Sequence, residues 1–237
     1  PIPVRRFRRP VPDDKIVDLA WAAILESKRP VILAGNGCIR RRASKQLRRF
    51  IKRTGIGVIS TFMAKGCIDM DDEACTYTIG LQARDYPALA IEQADLVITL
   101  GYDMVEYHPR LWNPGSSKRI IHIDFIPAEI DEDYRLDVEV VGDLAHTLWM
   151  LNERCERDNV TDANFDHSHT RTARERMTED LEEHAEDDTE GSIRPQKALW
   201  DARQVLGPND VLLSDVGAHK MWAVSYTHLT LPTKRIV

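Results

Sequence analysis

A parallel β-sheet with helices on both faces, an α/β fold, is what residues 13–151 of this 237-residue chain predict. Three observations carry the prediction. Short, almost wholly apolar runs recur along the segment, each of strand length rather than helix length. Between them lie stretches whose apolar residues return every three or four positions, the period of an amphipathic helix. Three of the runs end on glycine, which suits a sharp turn at a strand end. Strands buried on both faces that alternate with helices make a parallel sheet.

The elements follow in order. Residues 1–12 read as an extended interdomain linker, because proline forbids regular helix and disfavours a central strand. Asp13 is placed to cap a helix running to about Ser27, with Ile16, Leu19, Ala20, Ala23 and Ile24 on one face. Residues 30–34 form the first buried strand, followed by Gly35-Asn36-Gly37. A basic helix then runs through Thr54, with Leu47, Phe50 and Ile51 turned inward. Its cations (Arg40, Arg41, Arg42, Lys45, Arg48, Arg49, Lys52 and Arg53) read as a solvated face. Further strands are expected at 57–61, 95–101, 118–124 and 138–142, with helices over 88–94 and 143–151. Residues 152–191 are rich in Asp, Glu, Arg and His and read as a charged linker or surface helix. Order resumes after Ser192 with helical spacing over 196–206 and a buried strand over 210–215, which would open a second α/β unit left incomplete.

Composition narrows the function. Hydrophobic residues make up 43% and charged residues 30%, enough for a packed core under a solvated surface. A net charge of −6 with mixed signs argues against a nucleic-acid partner. Cys38, Cys67, Cys75 and Cys155 have neither zinc-knuckle nor dithiol spacing, so a reducing cytoplasm is expected. No apolar run reaches the roughly 18 residues of a membrane helix. His167 and His169 flank Ser168 in a polar stretch with no further ligands nearby, so no metal site is expected there.

In an open parallel sheet, ligands bind beyond the carboxyl ends of the strands. The glycines at 35, 37, 101 and 142 stand at such ends, where a missing Cβ lets a ligand approach the backbone. The full GxGxxG fingerprint is absent. Asp124 could accept a ribose hydroxyl or cap the turn before Pro127, and His122 reads as a core residue.

Longer motifs are more specific. Lys28-Arg-Pro-Val-Ile-Leu-Ala-Gly-Asn-Gly37 resembles the first strand of the central, Rossmann-like domain of thiamine-diphosphate-dependent decarboxylases and carboligases. Ile79-Gly-Leu-Gln82, the run from Ala94 to Tyr107, Lys118-Arg-Ile-Ile-His-Ile-Asp124 and Val138-Glu-Val-Val-Gly-Asp143 resemble acetolactate synthase large (catalytic) subunits. Leu213-Ser-Asp-Val-Gly-Ala-His-Lys-Met-Trp222 is similar to the segment that opens their diphosphate-binding domain.

The resemblance covers residues 1–224 and implies a fragment: a linker at 1–12, the central domain at 13–151, a charged linker at 152–191 and the start of the diphosphate-binding domain at 192–224. It implies a thiamine-diphosphate- and Mg-dependent transferase that decarboxylates pyruvate and joins the product to a second 2-oxo acid, giving 2-acetolactate. Branched-chain amino acid or acetoin metabolism would be its setting, with a homodimer or homotetramer as the working form. Val216, Gly217, Ala218, His219 and Met221 match the positions that meet the thiamine diphosphate. No catalytic residue and no metal ligand falls within the chain on this alignment. The activating glutamate belongs to the preceding domain and the Mg-binding motif to the remainder of the third. The fragment is therefore expected to be inactive alone.

Biosynthetic members bind FAD in the central domain, and the catabolic type keeps that domain without flavin. Positions matching the flavin contacts are Gly35, Gly37, Thr61, Gly80, Gly101, Asp124 and Asp143, a site either working or vestigial. Biosynthetic members continue the third strand, the run over 95–101, with an arginine-bearing loop, whereas this chain reads Gly101-Tyr-Asp-Met-Val-Glu-Tyr107. Asp103 and Glu106 put negative charge where a diphosphate would lie, so a flavin-free domain is expected. Residues 225–237 depart from the family pattern and read as a non-native tail. Two alternatives stand beside this reading: another thiamine-diphosphate carboligase or decarboxylase, and a non-catalytic nucleotide-binding module.

Overall fold

The computed structural model describes residues 9–39, 42–80, 85–183 and 193–207, together with positions 210, 212, 213, 217 and 222–224. The chain enters through helix α1 (Asp14–Glu26), which begins as its sequence dictates: the Asp13 carboxylate accepts the Lys15 amide at 2.8 Å and the Ile16 amide at 3.4 Å. Strand β1 (Pro30–Ala34) follows, buried at every residue. Helix α2 (Ala43–Thr54) ends on Gly55, whose φ of 66° makes the left-handed cap. Strand β2 (Val58–Ser60) lies beside β1, and a further short strand, β3 (Cys75–Thr78), beside β2.

Helix α3 (Tyr86–Gln93) leads to β4 (Leu96–Leu100), which is buried throughout, then to β5 (Arg119–Asp124) and β6 (Val138–Val141). Helices α4 (Leu144–Arg157), α5 (Ser168–Glu183) and α6 (Pro195–Val205) complete the described elements. All six strands are parallel, in the order β3-β2-β1-β4-β5-β6. This is the doubly wound order, and the α/β expectation holds.

Period-2 alternation divides the core in two. Ile32, Ala34, Ile98, Leu100, Ile121 and Ile123 face one side, under Leu47 and Phe50 of α2, Val17 and Ile24 of α1 and Leu148 of α4. Val31, Leu33, Ile59, Val97 and Ile120 face the other, against Ala90 and Ile91 of α3 and Ala173 of α5. A fully buried aliphatic side chain stabilises such a core by about 1.5–3 kcal/mol. The exposed basic face of α2 pairs outward: Arg49 reaches Glu156 at 2.5 Å and Arg53 the same carboxylate at 3.1 Å.

Four features differ from the sequence reading or sharpen it. β3 was not anticipated, because Cys-Thr-Tyr-Thr carries little apolar signal and belongs to a short edge strand with a register shift. Second, α4 runs six residues beyond the expected end at Leu151, to Arg157. Third, of the linker and the surface helix expected for 152–191, the helix is present: α5 is docked on the central domain. Its few apolar residues, Ala173, Met177 and Leu181, join Thr170 in one buried stripe. His167 and His169 are buried with it. In the expected strand over 210–215, Asp210, Leu212 and Leu213 have no strand conformation, and Leu213 is 89% exposed. Its remaining residues, and the expected tail at 225–237, lie outside the described residues.

Candidate functional site

The order of strands reverses between β1 and β4, and a cleft of about 260 Å³ opens beyond the carboxyl ends of β4 and β5. Asn36, Gly37 and Gly101 form its floor, the loop from Tyr102 to Met104 one wall, and His122, Asp124 and residues 125–129 the other.

Gly35, Gly37 and Gly101 serve the protein's own packing. A Cβ on Gly35 would stand 2.3 Å from the Gly101 carbonyl oxygen, and one on Gly37 2.6 Å from the Gly101 Cα. Gly101 itself adopts a φ of 56°. The Gly35 amide donates to the Leu100 carbonyl at 2.8 Å and the Gly37 amide to the Gly101 carbonyl at 2.9 Å. The turn after β1 is thus laced onto the end of β4, with both glycine amides committed. The Asn36 amide is aimed differently, at Oε1 of Glu106 across 3.3 Å. Oε2 of Glu106 accepts the hydroxyl of Thr61, which is wholly buried at the end of β2. Sequence reading registered Glu106 as a charge and missed this pairing, which has no local signal.

Asp124 ends β5 in the cleft wall, half-buried, and burial raises its carboxyl above the usual range. Behind it His122 is 3% exposed, as its alternation with Asp124 suggested. Its Nδ1 lies 2.9 Å from the Tyr134 hydroxyl, which in turn lies 2.6 Å from the Thr99 hydroxyl. Burial lowers the pKa of His122 and raises that of Tyr134, so both stay neutral near pH 7.

The structure therefore gathers Gly35, Gly37, Thr61, Gly101 and Asp124 around the switch point, with Gly37, Gly101 and Asp124 in the cleft lining itself, and leaves Gly80 and Asp143 elsewhere. Gly80 follows β3 with a φ of 84°; a Cβ there would meet the Tyr107 ring at 2.7 Å, and its amide donates to Asp85 at 2.6 Å. Asp143 caps α4 by accepting the His146 amide at 3.1 Å, and pairs with Arg9 at 3.3 Å. Of the expected thiamine-diphosphate positions, Gly217 is described and exposed, while Val216, Ala218, His219 and Met221 lie outside the described residues. Among the described residues no group of three His, Cys, Asp or Glu side chains is placed to hold a metal ion.

Comparison with known families decides the ancestry of this sheet. Residues 17–151 match the model for the thiamine pyrophosphate enzyme central domain, more than half of the chain. The chain belongs to the thiamine pyrophosphate enzyme family. Among curated proteins, an acetolactate synthase of Bacillus subtilis is 31% identical over 92% of this chain and 38% of its own length. Acetolactate synthase 1 of Nicotiana tabacum is 30% identical over 91% of this chain and 32% of its own. A probable acetolactate synthase large subunit of Methanocaldococcus jannaschii is 31% identical over 88% and 36%. The chain thus spans about a third of the length of these relatives.

The matched residues supply most of the two-sided core, which Val160, Phe165 and Ala173 complete, and no helix among the described residues is long and apolar enough to cross a membrane.

Proposed function

We propose that this chain is the central part of an acetolactate synthase that converts pyruvate to 2-acetolactate, using thiamine diphosphate and Mg. The observation that carries the reading is the similarity to acetolactate synthases along about nine-tenths of the chain, beyond the family domain itself. Thiamine diphosphate, when bound to the complete enzyme, supplies the carbanion chemistry, and protein groups supply geometry and proton transfer. In this chain Val216, Gly217, Ala218, His219 and Met221 would face that cofactor, and the central domain would hold the flanking domains in register. The small-molecule substrates are 2-oxo acids, and the working form is a homodimer or homotetramer in the cytoplasm. Four free, buried cysteines accord with a reducing compartment.

FAD does not fit the cleft. Its described lining includes Asp103, Asp124 and Glu129 and no Lys or Arg, so a diphosphate would meet like charge with no compensating cation. The domain in this reading works without flavin, as in a catabolic acetolactate synthase.

The test is acetolactate formation from pyruvate by the full-length product of the source gene, measured colorimetrically after conversion to acetoin. Activity that disappears on chelation and returns with Mg and thiamine diphosphate is expected; the 237-residue chain alone should show none. Turnover by the isolated chain, or inertness of the full-length protein towards pyruvate under those conditions, would sink the proposal.

A further inference from the structure

We propose that Glu106 is a specificity-determining residue: its carboxylate occupies the turn after β1 beside the cleft, where the diphosphate of a dinucleotide would lie, and so keeps dinucleotides out. The inference deepens the flavin-free reading and rests on it. In a doubly wound sheet the phosphates of a ligand collect at the turn after the first strand, where backbone amides are free to donate. Here the Gly35 and Gly37 amides are bonded to the end of β4. Two further donors at this corner, the Asn36 backbone amide and the Thr61 hydroxyl, are each taken by one oxygen of the Glu106 carboxylate.

One internal anion thus joins the ends of β1 and β2 to the loop after β4. An incoming diphosphate would have to displace a tethered carboxylate from both donors, and its own charge would then face Asp103 and Asp124. The displaced carboxylate would have no cation among the described lining residues to receive it. A tethered group competes at a high effective concentration, which favours the internal anion over a free one.

Isothermal titration calorimetry of the purified chain at low ionic strength tests this, with ADP and FAD as probes and adenosine as the control that lacks phosphate. The wild-type chain is expected to give no measurable binding of ADP or FAD. Glu106→Ala should bind ADP at least about tenfold more tightly than the wild-type limit, with adenosine unchanged. Glu106→Gln keeps the side-chain shape and removes the charge, and should fall between the two. Thermal unfolding establishes that each variant is folded; if Glu106→Ala is not, the Glu106→Gln comparison decides alone. Binding of FAD or ADP by the wild type overturns the flavin-free reading and this proposal together. Refusal by the wild type with no gain in any folded variant overturns the role of Glu106 alone.

Discussion

At the scale of single residues, two buried titratable groups set how stability follows pH. Lys65 is 6% exposed, and burial pulls its pKa down to about 7. Between pH 7 and the unfolded value near 10.5 the unfolded chain therefore binds the extra proton, and stability rises with pH by about 1.4 kcal/mol per pH unit at most. Lys65→Met should flatten that rise in denaturant titrations; an unchanged profile would show that Lys65 stays charged in the fold. His169, 1% exposed, is likewise depressed by burial, to about 4. Its contribution is fully present above pH 6.5 and lost as pH falls towards 4, costing on the order of 2 kcal/mol. His169→Leu should remove that acid-side loss, which circular dichroism melts at pH 7 and pH 4.5 would register. Gly35→Ala tests packing instead: a Cβ pressed against the Gly101 carbonyl should cost at least about 2 kcal/mol in denaturant unfolding. A cost below about 0.5 kcal/mol would mean that the turn has room to yield. Legibility at this scale was uneven. Asp13, Gly101 and His122 announce their places through local pattern, as a cap, a strand-ending glycine and an alternating core position. Glu106 does not, because its partners Asn36 and Thr61 come from two other strand ends that only the folded sheet brings near.

At the scale of elements, five of the six strands are readable in the sequence, and the short edge strand β3 is not. Pro30–Ala34 and Leu96–Leu100 are buried on both faces, so continuous hydrophobicity betrays them. β3 lies at the sheet edge with Thr78 and Tyr77 half-buried, and Tyr77 takes a φ of 63°, a local geometry that no periodicity encodes. Helix α5 left two readings open for another reason: its charge density hides a one-residue-wide stripe. Met177 is 3% exposed in that stripe and touches the same small cluster as Leu181. Met177→Asp buries an unpaired carboxylate there and should cost about 3 kcal/mol locally. Hydrogen exchange should then show lost amide protection across Ser168–Glu183 with β1 and β4 unchanged. Uniform loss over the whole sheet would mean that α5 belongs to the cooperative core.

At the scale of the molecule, both large core clusters are built from residues 17–173. Arg154, 7% exposed, ties α4 back to α1 through Asp14 at 2.7 Å and Asp18 at 2.8 Å, closing the domain near its beginning. A chain trimmed to residues 9–183 should therefore unfold in a single transition within a few degrees of the full 237-residue chain. A fall of more than about 10 °C would show that α6, through Leu199 and Trp200 against Leu181, is part of the folding unit. The family itself was legible from motif order along the chain. Ligand preference was not, since it depends on charges that converge across the cleft.

The strand order also dictates a schedule for synthesis. β1 stands at the centre of the sheet, yet its neighbour β4 pairs Pro30 with Leu96, so the partner is translated much later. At roughly 5–20 residues per second, β1 waits several seconds on the ribosome with only one edge covered. A five-residue run of Pro, Val, Ile, Leu and Ala exposed for that long is a ready nucleus for association between nascent chains. Pro30 at its first position withholds one backbone donor, and the following turn limits the run to five residues. Chaperone demand during expression should accordingly fall on the interval between the emergence of β2 and that of β4.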